Sequence, residues 1–433
     1  MIYMDSNSKI KIRRCIDVDF VFIYEVKNRE LQGIALIGLE LIKRGFTVGY
    51  INTWHGLHHA DIRYKAKVAI VFEAYNTDVI NFALSFIDHC ENVFNMQWEQ
   101  LLNDDCLKEN SIYLLRGDAC KVYHASWGEK NKKHLIETCH IPEEKVKVVG
   151  HIGMDFVSKR FSGYYKSKDE ILNDYSISAD KKIVLFISSF APPSLLDEER
   201  ASVSVKSKAK IVEWLIKFSK ENRDKCIIYR PHPTEAEGDE AINDMEKSGI
   251  HIIRDYSIQQ WIVISDIILN WWSTSLADVY SARKTCVFLR PYKLPEKYEY
   301  HMFRDIRMAT SYEEMLSQID DHASNISEEM FSKYYYHDEE EPVYVRVVNE
   351  LENIIKMDGE YVYDSGLIRE LKERPFILDM REAYGYAKSY IRSVFGQKDS
   401  FEEIRYHRRM SKSQYLSEKR IAALMTKIRV YTF

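Results

Sequence analysis

The chain has 433 residues, of which 45% are hydrophobic, with 61 basic and 66 acidic side chains. A chain of this length is ordinarily too long for a single hydrophobic core, so two domains are expected. The apolar content excludes a disordered chain. The net charge of −5 provides no basic field for a general nucleic-acid binder, so no nucleic-acid partner is predicted. The seven cysteines form no C-x-x-C pair, which argues against a disulfide framework or a zinc ribbon and favours the cytoplasm.

Neither a signal peptide nor a membrane span is predicted. The segment from Met1 to Arg14 is polar and basic and is not followed by an apolar stretch. The most apolar segment, Trp261 to Trp272, is much shorter than the roughly 20 residues that cross a bilayer.

The first third of the chain alternates strands with helices. The predicted strands cover 20–24, 46–51, 66–72, 92–96, 121–125 and 146–149, and the predicted helices cover 31–44, 78–89 and 130–139. Strands separated by helices form βαβ units, so we expect a parallel, Rossmann-like sheet in a first domain over 1–157.

A polar, tyrosine-rich stretch at 158–182 is predicted to link the domains. The alternation then resumes, with strands predicted at 183–187, 227–229, 250–253, 267–269 and 286–289, and helices at 206–220, 258–264 and 275–282. A second Rossmann-like domain over 183–342 is the expectation. After Pro291 no strand is predicted, and 343–433 is expected to form a helical C-terminal extension.

The last part of that extension, 396–433, is basic and amphipathic. Ile421, Leu424, Met425 and Ile428 recur at helical spacing. One interpretation is a helix that packs across the domain seam. The alternative is a peripheral-membrane surface that contacts anionic lipid headgroups.

Ligands of open α/β sheets bind beyond the carboxyl ends of the strands, so residues that follow each strand are candidate site residues. Arg230 and His232 follow one strand in the sequence Arg-Pro-His-Pro, where two prolines hold the imidazole at the strand tip. This pair suits a phosphate, although a histidine between prolines also occurs in purely structural turns.

A second candidate lies between a strand and the helix that follows it. Ser273, Thr274 and Ser275 would present hydroxyls and backbone N–H groups to an anion, although serines are also ordinary helix caps. Asp278, one turn later, is then placed to accept hydrogen bonds from a ribose. Ser188 and Ser189, after the first strand of the second domain, allow a donor or acceptor to approach closely.

The first domain offers candidates for a general base. Glu99 lies after the fourth strand, and His55, in Trp54-His55-Gly56, lies after the second. Each also has an ordinary structural explanation as a polar residue with a partner. His58 and His59 with Asp61 could suggest a metal, but adjacent histidines point in different directions, so no metal site is predicted.

Two familiar cofactor signatures do not occur. No G-x-G-x-x-G follows the first strand, and the chain contains no G-x-x-x-x-G-K-[ST], which argues against a nicotinamide enzyme and a P-loop NTPase. Asp17-Val18-Asp19 precedes a strand, the wrong end for a metal-binding D-x-D. Metal-independent chemistry without a cofactor is favoured.

The two Rossmann-like halves, Gly150-His151-Ile152-Gly153-Met154-Asp155, the Arg-Pro-His-Pro sequence and the stretch from Ser265 to Lys284 resemble the GT-B glycosyltransferases of bacterial surface-carbohydrate synthesis. The His-Pro followed by Ser-Thr-Ser is similar to the motifs of bacterial sialyl- and polysialyltransferases and of the glycerophosphotransferases of teichoic acid assembly, both of which use cytidine nucleotides. Trp54-His55-Gly56 is similar to the Trp-His-Gly of the glycerophosphotransferases, although here it follows an earlier strand. The acidic pair before glycine that sialyltransferases carry does not occur, and Glu99 is the nearest equivalent.

The resemblance implies an α/β GT-B fold, with two Rossmann-like domains facing each other across a cleft. It also implies that His232 contacts the donor phosphate and that Ser273 and Ser275 bind it. The expected activity is transfer of a sugar from a nucleotide-activated donor, CMP-linked by preference, to an oligosaccharide or lipid-linked surface glycan at the inner face of the cell membrane. The alternatives are a CDP-glycerol-type polyol-phosphate transferase, a catalytically inactive nucleotide-binding subunit and a nucleotide-sugar epimerase.

Overall fold

The first domain is built on a parallel sheet. The structure is a computed structural model that describes residues 2–4, 10–12, 14–25, 27–53, 62–107, 112–190, 196–232, 235, 240–321, 326–359, 361–364 and 418–432. Its elements up to the domain boundary are β1 (Ile2–Met4), β2 (Ile10–Ile12), β3 (Arg14–Tyr24), α1 (Lys27–Lys43), β4 (Val48–Asn52), β5 (Ile62–Val71), α2 (Thr77–Leu84), β6 (His89–Asn95), β7 (Tyr123–Ser126), α3 (Glu129–Glu137), β8 (Val146–Val148), α4 (Gly153–Phe156) and α5 (Lys168–Asp174).

The second domain is built in the same way. Its elements and those that follow are β9 (Lys182–Ile187), α6 (Glu198–Glu221), β10 (Lys225–Arg230), α7 (Glu240–Lys247), β11 (His251–Ile252), α8 (Ile258–Ile264), β12 (Ile267–Asn270), α9 (Leu276–Ser281), β13 (Thr285–Leu289), β14 (Met308–Ala309), α10 (Tyr312–Asp320), α11 (Glu328–Tyr334), α12 (Val343–Ile354), β15 (Tyr363–Asp364) and α13 (Glu418–Arg429).

The first strand of each parallel sheet in chain order, β3 or β9, lies inside the sheet and not at its edge. The first sheet runs β4-β3-β5-β6-β7-β8 and the second β11-β10-β9-β12-β13-β14, with all neighbours along both paths parallel. Parallel sheets require helical crossovers that cover both faces, and the burial of β9 shows this. Leu185 packs into the core on one face, and Val184 and Phe186 pack into the core on the other.

The expectation that strands end after Pro291 was wrong. β14 continues the second sheet beside β13, and β15 adds an antiparallel strand to β6, where Tyr363 pairs with Cys90. Each of these strands has only two residues, too few for an alternating pattern to appear in the sequence.

The chain returns to the first domain after the second one is complete. The carboxylate of Asp155 accepts hydrogen bonds from the backbone N–H groups of Val343 (2.9 Å) and Tyr344 (2.8 Å) at the start of α12. Arg346 Nε donates to the carbonyl of Val149 (2.8 Å), and α12 packs on α1. The described part of the predicted C-terminal extension therefore belongs to the first domain and includes β15 as well as helices.

The C-terminal helix α13 also packs on α1. Ile421 and Ile428 are buried, while Leu424 and Met425 are half-buried against the same core. The apolar stripe that was a candidate for lipid contact is thus used in packing within the first domain. None of the helices in the described ranges is both long enough and apolar enough to span a bilayer.

The carboxyl edges of the two sheets face each other. The loop after β6 contacts the second domain, since Leu102 accepts a hydrogen bond from the His301 N–H (2.8 Å) and Asn103 Nδ2 donates to the Tyr298 carbonyl (3.1 Å). Asp104 pairs with both His301 and Arg304 at 2.8 Å. The candidate residues at the two sets of strand ends therefore border one interdomain region.

Candidate functional site

The predicted donor loops leave the second sheet at the same level. Ile187, the last residue of β9, pairs with Arg230 at the end of β10 and with Asn270 at the end of β12. Because β9 lies between the other two, their ends are two strand spacings apart, roughly 10 Å. The His232 loop and the Ser273 loop thus begin at one edge of the sheet, with Ser188 and Ser189 between them.

His232 is held by groups around its backbone. Its N–H donates to Glu235 Oε2 (3.2 Å), and the Arg254 guanidinium donates to the carbonyls of Glu235 (2.9 Å) and His232 (3.5 Å). Burial lowers the pKa of the imidazole, which favours its neutral form at pH 7. A neutral imidazole can donate a hydrogen bond from one nitrogen and accept one at the other.

Glu235 is the buried centre of this corner. Its carboxylate accepts hydrogen bonds from Ser188 Oγ (2.7 Å) and Tyr229 OH (2.7 Å) and pairs with Lys208 Nζ (2.8 Å). The Ser188 hydroxyl, predicted to contact the ligand, is therefore engaged in shaping the loop. Sequence reasoning missed Glu235 and Lys208, although Glu235 closes the Arg-Pro-His-Pro-Thr-Glu stretch.

Arg230 holds a neighbouring loop instead of projecting freely toward a phosphate. Its guanidinium donates to the carbonyls of Ile253 (3.3 Å), Asp255 (2.6 Å) and Tyr256 (2.6 Å). These contacts occupy both of its terminal nitrogens, so phosphate contact by Arg230 stays a prediction with few donors left to serve it.

The serine loop after β12 folds on itself. The Ser273 N–H donates to Asn270 Oδ1 (2.8 Å), and the Ser275 N–H donates to Ser273 Oγ (3.3 Å). The Ser273 and Ser275 hydroxyls are 3.3 Å apart, and Thr274 lies half-buried between them. The helix that follows, α9, has only six residues, so its macrodipole is small.

Two further groups lie near the carboxyl edge of the second sheet. Ser189 carries a buried hydroxyl without a hydrogen-bond partner, which is rare for a buried polar atom. The Arg200 guanidinium lies 5.8 Å from the Trp272 ring and 5.4 Å from the Tyr298 ring. Arg200 was not predicted, because its place near the start of a long helix carries no motif.

Glu99 lies beyond β6 in the first domain, and the backbone that leads to it is unusual. Gln97 has φ 30°, a rare conformation for a non-glycine residue, and its side-chain amide donates to the Glu99 carbonyl (3.3 Å). Burial raises the pKa of Glu99, while the positive charge of Arg29 acts in the opposite direction. A raised pKa moves a carboxylate toward the range in which a general base works well near pH 7.

Asp278 lies at the seam between the domains. Its Oδ2 accepts a hydrogen bond from Gln259 Nε2 (2.8 Å), and its Oδ1 is 3.4 Å from His151 Nδ1. Gly153 makes this approach feasible, since a Cβ there would lie 2.4 Å from Asp278 Oδ1. The predicted ribose-binding carboxylate therefore faces a histidine of the first domain, a pairing that no sequence pattern indicated.

His55, with Trp54 and Gly56, lies outside the described residues, so its role stays a prediction. Within the described ranges, no group of three or more His, Cys, Asp or Glu side chains is arranged as a metal site.

Comparisons with known proteins place the architecture. No protein-family model matches the chain, and no curated sequence is significantly similar to it. The wall teichoic acid polymerase TagF superposes with a TM-score of 0.53 at 13% identity, over 78% of this chain and 89% of that one. A TagF variant gives a TM-score of 0.52 at 12% identity over the same shares.

The UDP-GlcNAc 2-epimerase of Methanocaldococcus jannaschii, in complex with UDP-GlcNAc and UDP, has a TM-score of 0.49 at 15% identity, over 78% of this chain and 100% of that one. Similarity at such low sequence identity indicates a shared fold and nothing more. The TagF superpositions are the ones that support this fold. The two facing parallel sheets and the TagF comparisons confirm the predicted GT-B fold.

Proposed function

We propose that the protein is a cytoplasmic glycosyltransferase. It transfers a sugar from a nucleotide-activated donor, CMP-linked by preference, to a surface glycan. The observation that carries the proposal is the shared register of β9, β10 and β12. Because of this register, the His232 loop, Ser189 and the Ser273–Ser275 loop all follow strands that end at one edge of the sheet. Sheet edges of this kind are where open α/β folds bind nucleotides.

The proposed reaction divides the work between the domains. The donor phosphate lies between His232 and the serine loop, and the acceptor hydroxyl approaches from the first domain. Glu99 takes the hydroxyl proton as the new glycosidic bond forms, and the bond between sugar and phosphate breaks with its electron pair leaving on the nucleotide. His232 and the hydroxyl groups of the serine loop stabilise the charge that develops on that phosphate.

The nucleotide site can be tested by thermal shift with CMP, CDP, UDP and GDP. A ligand that binds only the native state raises the melting temperature, so we expect a cytidine nucleotide to give the largest rise. The rise should shrink in His232→Ala and persist in His251→Ala, because His251 lies within the outermost strand of the sheet, β11, and not in a loop beyond a strand end. The proposal is wrong if none of the four nucleotides shifts the melting temperature.

A polyol-phosphate transferase is the second candidate, because TagF, a wall teichoic acid polymerase, shares the fold. The same phosphate site would then hold CDP-glycerol, with attack at phosphorus instead of at a sugar carbon. Mass spectrometry of products formed from CMP-sugars and from CDP-glycerol separates the two. Nucleotide binding without product from either donor, with Glu99→Ala silent, would instead indicate an inactive binding subunit.

A further inference from the structure

A group of carboxylates lies at the carboxyl edge of the first sheet. Glu25 directly follows β3, Glu73 lies two residues beyond β5, and Glu99 lies in the loop after β6. Arg29 and Glu30 join them from the first turns of α1. Since β3, β5 and β6 are adjacent and parallel, all these residues lie at one edge.

Contacts among four of these residues, and the electrostatic interaction of Arg29 with Glu99, define one cluster. We call it the acidic cluster: Glu25, Arg29, Glu30, Glu73 and Glu99. Arg29 Nη2 is 3.0 Å from Glu30 Oε1 and 3.8 Å from Glu73 Oε1, and the Glu25 N–H donates to Glu30 Oε2 (2.7 Å). The carboxyl groups of Glu25 and Glu73 are hydrogen-bonded to each other, which requires a shared proton. Burial and this partner raise the pKa of Glu73 to about 8.

The acidic cluster opens toward the cleft. The Glu73 and Arg29 side chains are each 38% exposed, whereas Glu30 is fully buried beneath them. One guanidinium and one shared proton do not balance four carboxylates, so the cluster is net negative. Carboxylates only accept hydrogen bonds, so a ligand that fits here must bring donors.

Polar atoms without partners independently point to a ligand next to Glu99. The Tyr335 hydroxyl is completely buried and unpaired, and it lies within electrostatic reach of both Glu99 and Asp278. Trp98 Nε1 is also buried without a hydrogen-bond partner. Its ring stacks on Phe72 at 4.8 Å and lies 5.7 Å from the Arg29 guanidinium, so it borders the acidic cluster. Buried polar atoms are ordinarily satisfied, and a bound hydroxyl-rich molecule could satisfy these.

We propose that the acidic cluster is the acceptor site and that it takes a saccharide end rich in hydroxyl groups and free of phosphate and carboxylate. The inference rests on the proposed transferase function and narrows its acceptor. Sugar hydroxyls donate to the carboxylates, and the unpaired Trp98 Nε1 beside them can donate to a sugar oxygen. A polyanionic acceptor, such as a polyol-phosphate chain, is repelled by the same carboxylates.

The test uses the full-length protein on a glycan array that presents neutral, carboxylated and phosphorylated saccharides of equal length. We expect neutral saccharides to bind about tenfold more tightly than their phosphorylated counterparts, because like charges meet in the latter complexes. The triple variant Glu25→Gln, Glu73→Gln, Glu99→Gln should lose most of this discrimination.

A control variant removes the same charge elsewhere on the first domain. Glu129→Gln, Glu137→Gln, Glu144→Gln changes three exposed carboxylates, so its discrimination should equal that of the wild type. Equal or tighter binding of phosphorylated saccharides, or no binding of any neutral one, overturns the inference. Thermal shift with nucleotides on the same variants reports the donor site separately, so a failed acceptor inference is distinguishable from a failed transferase assignment.

Discussion

The position of His232 depends on residues that do not resemble a ligand-binding motif. Glu235 accepts a hydrogen bond from the His232 N–H, Arg254 donates to the carbonyls of His232 and Glu235, and Lys208 pairs with Glu235. Burial lowers the pKa of the imidazole, which favours its neutral form at pH 7. The two prolines are thus one contribution among several to the geometry of this loop.

Replacing His232 with alanine should abolish transfer while leaving the fold intact. In the proposed mechanism His232 stabilises charge on the leaving phosphate, and removing such a donor costs about 10² to 10³ in turnover. Turnover is measured with the donor that gives the largest thermal shift, and circular dichroism checks the fold. Retained turnover would contradict the assignment. Glu235→Gln, which keeps the shape but weakens the network, should show a smaller loss.

His124 should make stability depend on pH. Its Nε2 is 2.7 Å from the Ala119 carbonyl and its Nδ1 is 3.2 Å from Asn95 Nδ2, so the neutral ring donates to the former and accepts from the latter. Burial lowers the pKa of His124 to about 4, below its usual 6.5, so the native state disfavours the extra proton. The resulting contribution of His124 to the unfolding free energy is complete above pH 6.5 and is lost as the pH falls toward 4.

The measurement is urea denaturation at pH 7 and pH 5 for the wild type and for His124→Asn. The difference in unfolding free energy between the two proteins separates the effect of His124 from the effects of the carboxylates and the other histidines. We expect the wild type to lose more stability than the variant on acidification, and parallel losses would exclude the effect.

At the scale of elements, α12 is fixed at its first turn. Asp155 accepts hydrogen bonds from two of the N–H groups that a helix start leaves unpaired, and Arg346 anchors the next turn to Val149. Both contacts are buried and join residues nearly 200 positions apart in the chain. They fix the point at which the chain re-enters the first domain.

Asp155→Ala should destabilise the protein by about 2 to 4 kcal/mol, because two buried donors lose their acceptor. Asp155→Asn retains one acceptor oxygen and should cost about half as much. Urea denaturation gives both values. Equal stability of the alanine variant and the wild type would show that water or other groups replace the carboxylate.

At the scale of the whole molecule, the seam between the domains depends on a glycine. A Cβ at residue 153 would lie 2.4 Å from Asp278 Oδ1 and 2.6 Å from His151 Cε1, on opposite sides of the seam. The loop after β6 provides a second contact through Asp104 with His301 and Arg304. These two contacts both contribute to the spacing of the domains.

Gly153→Ala should push the seam apart and weaken the coupling of the domains. In differential scanning calorimetry we expect the wild type to unfold in one transition and the variant to show two, because each domain also has a core of its own. Gly45→Ala is the control: a Cβ there meets nothing within 4 Å, so it should lower stability through local strain alone, without splitting the transition. A single transition in Gly153→Ala would contradict the prediction.

The sequence allowed the layered architecture to be predicted because strand and helix periodicity are local signals. The predicted strand at 183–187 and the observed Lys182–Ile187 differ by one residue, and its register brings the two donor loops to one edge. Partners distant in the chain were not predictable. Helical spacing near Val343 and Ile421 indicates an apolar face but not that α1 covers it. Likewise, nothing in the sequence distinguishes Arg230, which binds loop carbonyls, from a ligand-binding arginine.

The return of the chain through α12 has a consequence for how the molecule can be rearranged. The second domain is an uninterrupted stretch that lies between Asp155 and Val343, whereas the first domain is assembled from segments on both sides of it. A hybrid that exchanges the second domain for that of another protein with this fold therefore needs only two splice points. Recombination of this kind would replace one side of the cleft and leave the other side unchanged.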